Sequence, residues 1–237
     1  MTDRLIFVHG FTQTAASWAP VLSRLPLRTE TRSVDAPGHG TAAAVDTDLW
    51  GAADHIVTAG GRGTYIGYSM GARIALHAAI AHPDRVSALV LVSGTAGIDD
   101  PTERAARRES DEALAARIER DGIDDFLDHW MSLPLFATLP AEAAGLDVRR
   151  TNTSSGLASS LRRAGTGAQD PLWDRLGELT MPVLVVAGAL DRKFVALARR
   201  LHAGIARSSL AIVEDAGHAV PLERPDRFAT LLTTWRD

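Results

Sequence analysis

Short runs of apolar residues alternate with longer amphipathic stretches along most of the chain. Six runs predict β-strands: Leu5 to Val8, Thr31 to Val34, Thr64 to Gly67, Val86 to Val92, Val183 to Val186 and Leu210 to Val213. Five stretches between them predict helices: Trp18 to Leu25, Asp46 to Thr58, Met70 to His82, Phe194 to Ala203 and Arg224 to Trp235. Unbroken apolar strands are typical of parallel sheets covered on both faces. The alternation therefore predicts an α/β fold with an open, mostly parallel, doubly wound sheet.

One long segment interrupts this alternation. Between Asp99 and Gly177 the pattern predicts no strand but four charged helical pieces: Pro101 to Glu119, Ile123 to Met131, Ala141 to Arg150 and Ser155 to Arg163. Such a segment is too long for a loop between two strands. We expect one structural domain in which residues 1–98 and 178–237 form the sheet. Residues 99–177 are expected to form a helical cap over the carboxyl edge of the sheet, where ligands bind in this architecture.

Composition narrows the class of protein. The 237 residues include no cysteine, which excludes disulfides, thiolate nucleophiles and zinc–thiolate sites. A formal net charge of −4 argues against a general nucleic-acid binder. Lys193 is the only lysine among 25 basic residues, so a buried cation must be arginine. No apolar run approaches the roughly 20 residues of a membrane span, and the N-terminus lacks a signal-peptide pattern, so we expect a cytoplasmic protein without a membrane partner.

Ser69 lies in Gly67-Tyr68-Ser69-Met70-Gly71, which matches the pattern G-x-S-x-G. The string alone is weak evidence, but it closes a predicted strand and opens a predicted helix. Flanking glycines permit a tight turn that presents a serine hydroxyl at the helix N-terminus. We therefore predict a nucleophile elbow, with an ordinary strand-to-helix turn as the alternative.

A reactive serine needs a base, and the base needs an acid that orients it. His218 follows the last predicted strand, and Asp191 follows the strand before it. Both therefore share the carboxyl edge of the sheet with Ser69, in the chain order Ser, Asp, His. Glu214 and Asp215 are alternative acids, although their closeness to His218 in sequence makes the required hydrogen bond awkward.

The segment His9-Gly10-Phe11-Thr12 follows the first predicted strand. A glycine turn here can direct the Phe11 amide toward the serine, and the Met70 amide can supply a second donor. Two such donors make an oxyanion hole. The alternative is a simple strand-to-loop turn.

On these motifs the sequence resembles the α/β-hydrolase fold enzymes over its whole length. More narrowly, it is similar to the family of 2-succinyl-6-hydroxy-2,4-cyclohexadiene-1-carboxylate synthases of menaquinone biosynthesis. The selective features are Arg73, four residues after Ser69, and several segments elsewhere: Glu103 to Arg108 with Asp111-Glu112, Phe126 to Trp130 before Pro134-Leu135-Phe136, Arg150-Thr151-Asn152, and Asp191 to Phe194. Ala72 and Pro221 depart from that family's pattern.

The resemblance implies an α/β-hydrolase fold with a helical cap and a triad of Ser69, Asp191 and His218. It also implies substrate contacts from Tyr68, Arg73, Arg107, Trp130 and Arg150. The sequence after Arg150 is about one residue short, so Arg149 could take the place of Arg150.

The implied reaction needs no cofactor and no metal. Pyruvate is eliminated from a small cyclohexene ring that carries a succinyl side chain, a ring carboxylate and an enol-pyruvyl ether, with Ser69 acting as a base after His218 deprotonates it. Several arginines suit such a polyanion, because desolvated carboxylates need partners. The partner is then a small anionic substrate and not nucleic acid, and the protein is expected to be a monomer or homodimer.

Two other functions share these motifs. One is a serine hydrolase of small esters, thioesters or lactones, which differs only in its pocket. The other is a non-catalytic ligand receptor on the same fold. An arginine-lined pocket would favour the lyase, an apolar channel the hydrolase, and a triad out of register the receptor.

Overall fold

A six-stranded parallel sheet forms the centre of the computed structural model, which describes residues 4–236. Its strands are β1 (Leu5–Val8), β2 (Thr31–Val34), β3 (Gly63–Tyr68), β4 (Val86–Val92), β5 (Val183–Gly188) and β6 (Ser208–Val213). They lie in the order β2-β1-β3-β4-β5-β6, and each neighbouring pair is parallel. The predicted parallel, doubly wound sheet is confirmed. Met1 to Asp3 lie outside the described residues. The expectation that the N-terminus lacks a signal-peptide pattern rests partly on them.

The helices follow the predicted alternation with the strands. Their bounds are α1 (Ala19–Leu22), α2 (Leu49–Gly60), α3 (Met70–Ala81), α4 (Pro101–Asp121), α5 (Ile123–Met131), α6 (Leu146–Arg149), α7 (Ser154–Ala164), α8 (Arg192–Gly204), α9 (Val220–Glu223) and α10 (Pro225–Arg236). Short 3-10 turns cover Ala15–Trp18, Gly40–Ala42, Pro134–Phe136, Ala141–Ala143 and Trp173–Glu178. Within residues 4–236, no helix is both long and apolar enough to span a membrane.

Three predicted helices differ from the structure for local reasons. The one predicted at 46–58 starts later, because the Asp48 side chain caps α2 by accepting a hydrogen bond from the Gly51 amide at 2.9 Å. The one predicted at 141–150 is divided at Gly145, whose φ of 63° interrupts the helical backbone. The first predicted helix, 18–25, becomes a 3-10 turn followed by the short α1.

The sheet separates two apolar cores. Successive residues of a strand point to opposite faces, so Ile6 packs in the core beside α2, α3 and α8, whereas Phe7 packs in the core beside α1 and α10. Both side chains are fully buried. This burial fixes the register of β1 in the centre of the sheet and so the position of the loop that follows it.

The segment between β4 and β5 is a helical insertion made of α4 to α7. It has its own apolar cluster, formed by Ala115, Ile118, Phe126, Leu127, Leu157, Ala158 and Leu161. Phe11, in the loop after β1, packs against this cluster, with its ring centroid 5.3 Å from that of Trp130. The insertion therefore contacts a loop at the carboxyl end of β1.

Candidate active site

Ser69 lies in a sharp turn between β3 and α3. Its backbone has φ 53° and ψ −108°, a region that residues other than glycine rarely occupy. The flanking glycines permit the turn: a Cβ on Gly67 would lie 2.3 Å from the Gly71 carbonyl oxygen, and one on Gly71 would lie 2.1 Å from that of Val8. Ser69 thus lines a cavity at the N-terminus of α3.

His218 and Asp191 continue from Ser69 in a hydrogen-bonded row. Ser69 Oγ lies 3.1 Å from His218 Nε2, and His218 Nδ1 lies 3.0 Å from Asp191 Oδ2. Partial burial of Asp191 opposes its charge, but hydrogen bonds from His218 and from the Phe194 amide outweigh burial and lower the pKa of the carboxyl. An ionised Asp191 can accept from Nδ1, which leaves Nε2 free to take the Ser69 proton.

The two alternative acids lie away from the imidazole. Glu214 and Asp215 are exposed, and Asp215 pairs with Arg227 at 3.5 Å. The geometry therefore brings Asp191 to His218 rather than either of its neighbours in sequence.

Two backbone amides beside Ser69 are available as donors. Phe11 follows β1, Met70 is the first residue of α3, and both line the cavity that contains Ser69. Neither amide has a hydrogen-bond acceptor among residues 4–236. Unused amides beside a reactive serine are what an oxyanion hole requires, and this role of Phe11 and Met70 stays a prediction.

Two buried histidines fix the loop that carries Phe11. His9 Nε2 accepts a hydrogen bond from the Ala36 amide at 3.0 Å, and His39 Nε2 accepts one from the Thr12 amide at 3.2 Å. Burial lowers the pKa of His9 to about 4 and that of His39 to about 3. Both rings are therefore neutral at pH 7 and can act as acceptors.

Aromatic side chains surround the imidazole of His218. The ring centroids of Phe194, Tyr68 and Phe136 lie 4.4, 5.6 and 6.4 Å from its own. Burial raises the pKa of Tyr68, so its hydroxyl stays protonated. Tyr68 and Trp130, two predicted substrate contacts, both line the cavity.

Two buried guanidinium groups lie in the wall of the same cavity. Arg73 is 7% exposed and Arg149 is 1% exposed. Arg73 Nη1 donates to the Ala164 carbonyl oxygen and Arg149 Nε to that of Ala144, each at 2.7 Å. Burial lowers the pKa of each to about 10, so both remain cations at neutral pH. Neither forms an ion pair with a carboxylate in the part of the chain that the structure describes, although the Asp111 carboxylate acts favourably on the charge of Arg73 from a longer distance.

The other two predicted arginines have different positions. Arg107 of α4 lines the cavity, and its Nε donates to the buried carboxylate of Asp111 at 2.7 Å. Arg150 is not part of the wall, and the structure corrects this expectation. It pairs with Asp124 at 2.8 Å and Asp147 at 3.6 Å on the outer surface. Neighbouring residues at the end of a helix point about 100° apart, so Arg149 faces inward and Arg150 outward.

Gln13 and Lys193 are among the cavity residues to which the sequence analysis gave no role. Gln13 Oε1 accepts a hydrogen bond from the Gly10 amide at 2.9 Å, and a single glutamine in a loop carries no sequence signal. Lys193, exposed at the start of α8, had a signal in being the only lysine. Within residues 4–236, no group of three or more His, Asp or Glu side chains is arranged to hold a metal ion.

In one large class of enzymes, a strained turn carries a serine, and an acid and a histidine follow it along the chain at the same sheet edge. A model of the alpha/beta hydrolase family matches residues 5–231, and the chain belongs to this family. The predicted resemblance to it is confirmed.

Several relatives within this family carry one name. A Bacillus subtilis protein, provisionally named 2-succinyl-6-hydroxy-2,4-cyclohexadiene-1-carboxylate synthase, is 35% identical over 98% of this chain and 89% of its own. The Serratia proteamaculans synthase of that name is 33% identical over 96% of this chain and 91% of its own. The structure of MenH from S. aureus superposes with a TM-score of 0.92 at 30% identity, covering 99% of this chain and 93% of that one.

More distant structures share the fold alone. The enol-lactonase from Burkholderia xenovorans LB400 is 21% identical, with a TM-score of 0.80 over all of this chain and 92% of its own. The fold alone therefore does not separate a synthase from a hydrolase.

Proposed function

We propose that the protein is a cofactor-free lyase of menaquinone biosynthesis. It eliminates pyruvate from a cyclohexene carboxylate with a succinyl side chain and an enol-pyruvyl ether, giving 2-succinyl-6-hydroxy-2,4-cyclohexadiene-1-carboxylate. The observation that carries the proposal is the pair of buried, unpaired guanidinium groups of Arg73 and Arg149 in the cavity that holds Ser69. The similarity to synthases of this name supports it.

The positive charge of the cavity wall favours this anionic substrate over a neutral ester. A buried cation without a counter-ion is unfavourable unless a ligand supplies one, and guanidinium groups bind carboxylates bidentately. Arg73 and Arg149 offer two such positions. Arg107 adds a third cation, whose charge Asp111 already balances in part. A substrate with three carboxylates would provide the missing negative charge.

The triad would act as a base in this reaction. His218 Nε2 takes the Ser69 proton, and the Ser69 oxygen abstracts a proton from the ring carbon next to the succinyl carbonyl. The amides of Phe11 and Met70 stabilise the negative charge on that carbonyl oxygen. The electron pair then moves through the ring double bond and breaks the bond to the enol-pyruvyl oxygen, so pyruvate leaves as its enol form. His218 gives the proton it took from Ser69 to the leaving enolate oxygen, Ser69 keeps the ring proton as its hydroxyl, and no acyl-enzyme forms.

Neighbouring arginines provide a matched test. Arg149→Met removes the buried charge but keeps a side chain of similar length, whereas Arg150→Met changes an exposed arginine on the next residue. We expect Arg149→Met to raise the barrier in kcat/KM for the anionic substrate by about 2–5 kcal/mol and to change nitrophenyl acetate cleavage only a few-fold. Arg150→Met should behave as wild type with both substrates.

A thermal melt of each variant completes the test. Arg149→Met removes the desolvation cost of a buried cation but also loses its hydrogen bonds to the Ala144 carbonyl oxygen and the Thr12 hydroxyl, so the Tm of Arg149→Met should change by only a few degrees. A much lower Tm with equal activity losses on both substrates would show that Arg149 supports the fold. Ester cleavage by the wild type without any pyruvate release would favour the hydrolase.

We also propose a location, an oligomeric state and a partner for the enzyme. We expect a cytoplasmic monomer or homodimer whose partner is this small anionic substrate, without nucleic acid or membrane. The charge on the cavity wall supports the anionic substrate, and gel filtration with light scattering would measure the oligomeric state.

A further inference from the structure

Glu223 is a buried carboxylate that the triad does not include. It lies five residues after His218 and is 6% exposed. Its Oε2 accepts a hydrogen bond from the Gly217 amide at 2.7 Å, and its Oε1 accepts one from the Ala219 amide at 2.9 Å. These are the two residues on either side of His218, so one carboxylate holds the backbone both before and after the histidine.

A third contact holds the backbone of His218 itself. Ser93, which directly follows β4, donates a hydrogen bond from its Oγ to the His218 carbonyl oxygen at 2.8 Å. Ser93 is 1% exposed, and its backbone φ is 49°. Glu223 and Ser93 together form what we call the histidine clamp, which links the loop after β6 to the centre of the sheet.

A simpler role for Glu223 is to cap α9. Ala219 is the N-cap of this helix, and a glutamate that reaches back to the N-cap amide is a known capping arrangement. Capping, however, needs only one carboxylate oxygen. The other binds Gly217, which precedes both the helix and the histidine. Glu223 also forms no ion pair with a cationic side chain among residues 4–236, and an unpaired buried carboxylate is a costly way to cap a helix of four residues.

We propose that Glu223 is a positioning residue that holds the imidazole of His218 in reach of Ser69. Proton transfer depends on the 3.1 Å separation between Ser69 Oγ and His218 Nε2, and small displacements of catalytic groups reduce rates strongly. The backbone contacts fix the origin of the side chain, while Asp191 fixes the rotation of its ring. This role rests on the Ser69–His218 pair and is independent of whether the substrate is the polyanion or an ester.

The test uses a reaction that reports on this pair alone. Phenylmethylsulfonyl fluoride sulfonylates an activated serine: a bond forms between Ser69 Oγ and sulfur, fluoride leaves, and His218 accepts the proton. We expect Glu223→Gln to slow this reaction, followed by intact mass, by about tenfold or more, because an amide can accept from only one of the two backbone N–H groups. The kcat for pyruvate release should fall similarly, with KM within about twofold, since Arg73 and Arg149 are unchanged.

Two further variants complete the experiment. Glu214→Gln changes an exposed carboxylate in the same loop and should leave the sulfonylation rate unchanged. Ser93→Ala removes one neutral hydrogen bond and should give a smaller decrease in the sulfonylation rate than Glu223→Gln.

If folded Glu223→Gln reacts at the wild-type rate and only its Tm falls, Glu223 is a helix cap and the proposal is overturned. If Glu223→Gln does not fold, a wild-type rate for Ser93→Ala overturns the clamp. Failure of the lyase assignment would differ, because pyruvate release would be absent while the sulfonylation rates still changed.

Discussion

Asp191 makes two different contacts with its two carboxylate oxygens. Oδ1 accepts from the Phe194 amide and caps α8, and Oδ2 accepts from His218 Nδ1. The interaction that starts the helix therefore also fixes the acid relative to the imidazole. These hydrogen bonds lower the pKa of Asp191 below its ordinary value although burial opposes them, so the carboxylate stays charged when the solution becomes mildly acidic.

Replacing this acid by its amide should disable the histidine without removing the cap. In Asp191→Asn the side-chain oxygen can still accept from Phe194, but the amide can donate to Nδ1 and favour the tautomer in which Nε2 carries the proton. We expect kcat to fall by up to about 10⁴-fold, measured as pyruvate release. Asp215→Asn, at the exposed alternative acid, should have no effect. Equal losses in both variants would contradict the assignment of Asp191.

The sequence predicted some site residues better than others, for physical reasons. Ser69, Asp191 and His218 lie in the loops or turns that follow β3, β5 and β6, so topology alone brings them to one sheet edge. Arg149 and Arg150 lie at the end of the short helix α6, whose orientation depends on the hydrogen bonds that these arginines make with Thr12 and Asp124. Sequence spacing could not decide which of the two faces the cavity.

At the scale of elements, the short loops after β1 and β2 determine much of the geometry around Phe11. They are joined by His9 and His39, whose ring centroids lie 5.1 Å apart. Asn152 joins them to the helical insertion, because its Nδ2 donates to the Thr12 carbonyl oxygen at 2.7 Å and its Oδ1 accepts from the Gly40 amide at 2.9 Å. The loop after β1 that carries Phe11 is therefore joined to the insertion by hydrogen bonds.

These neutral histidines should make the protein less stable in mild acid. Their folded-state pKa values, about 4 and about 3, lie below the ordinary histidine value of 6.5. The unfolded chain therefore binds more protons below pH 6.5, and stability falls as the pH falls from there toward 4. Asp35 and Arg149 are the charged groups that act on His9.

Urea unfolding between pH 7 and pH 5 measures this effect above the range in which most carboxylates titrate. His39→Gln keeps an acceptor for the Thr12 amide but cannot titrate, so we expect its pH slope to be smaller than that of the wild type by up to one proton. His202→Gln, at an exposed histidine, should keep the wild-type slope. An unchanged slope in His39→Gln would contradict the neutral, buried state of this ring.

The strands were easier to predict than the helices around them. β1, β2 and β4 have the predicted bounds, because each is an extended run between clear turns. Helix ends depended on contacts that no periodicity shows, such as the Asp48 cap and the left-handed Gly145.

At the scale of the whole molecule, a parallel sheet brings Ser69, Asp191 and His218 together at its carboxyl edge, and residues of the helical insertion line the same cavity. We propose that residues 99–177 act as a cap that contributes Arg107, Trp130 and Arg149 to the cavity. The sheet and α3 supply Ser69, Asp191, His218 and Arg73, so the two parts together would hold a polyanionic substrate beside the Ser69 base.

A single-turnover reaction with the enol-pyruvyl cyclohexene carboxylate tests the central claim most directly. Pyruvate is measured with lactate dehydrogenase, and the intact mass of the enzyme is recorded at successive times. Elimination by a serine base predicts one pyruvate per active site and no mass added to Ser69 at any time. An adduct that accumulates on Ser69, or ester cleavage without pyruvate release, would contradict the account.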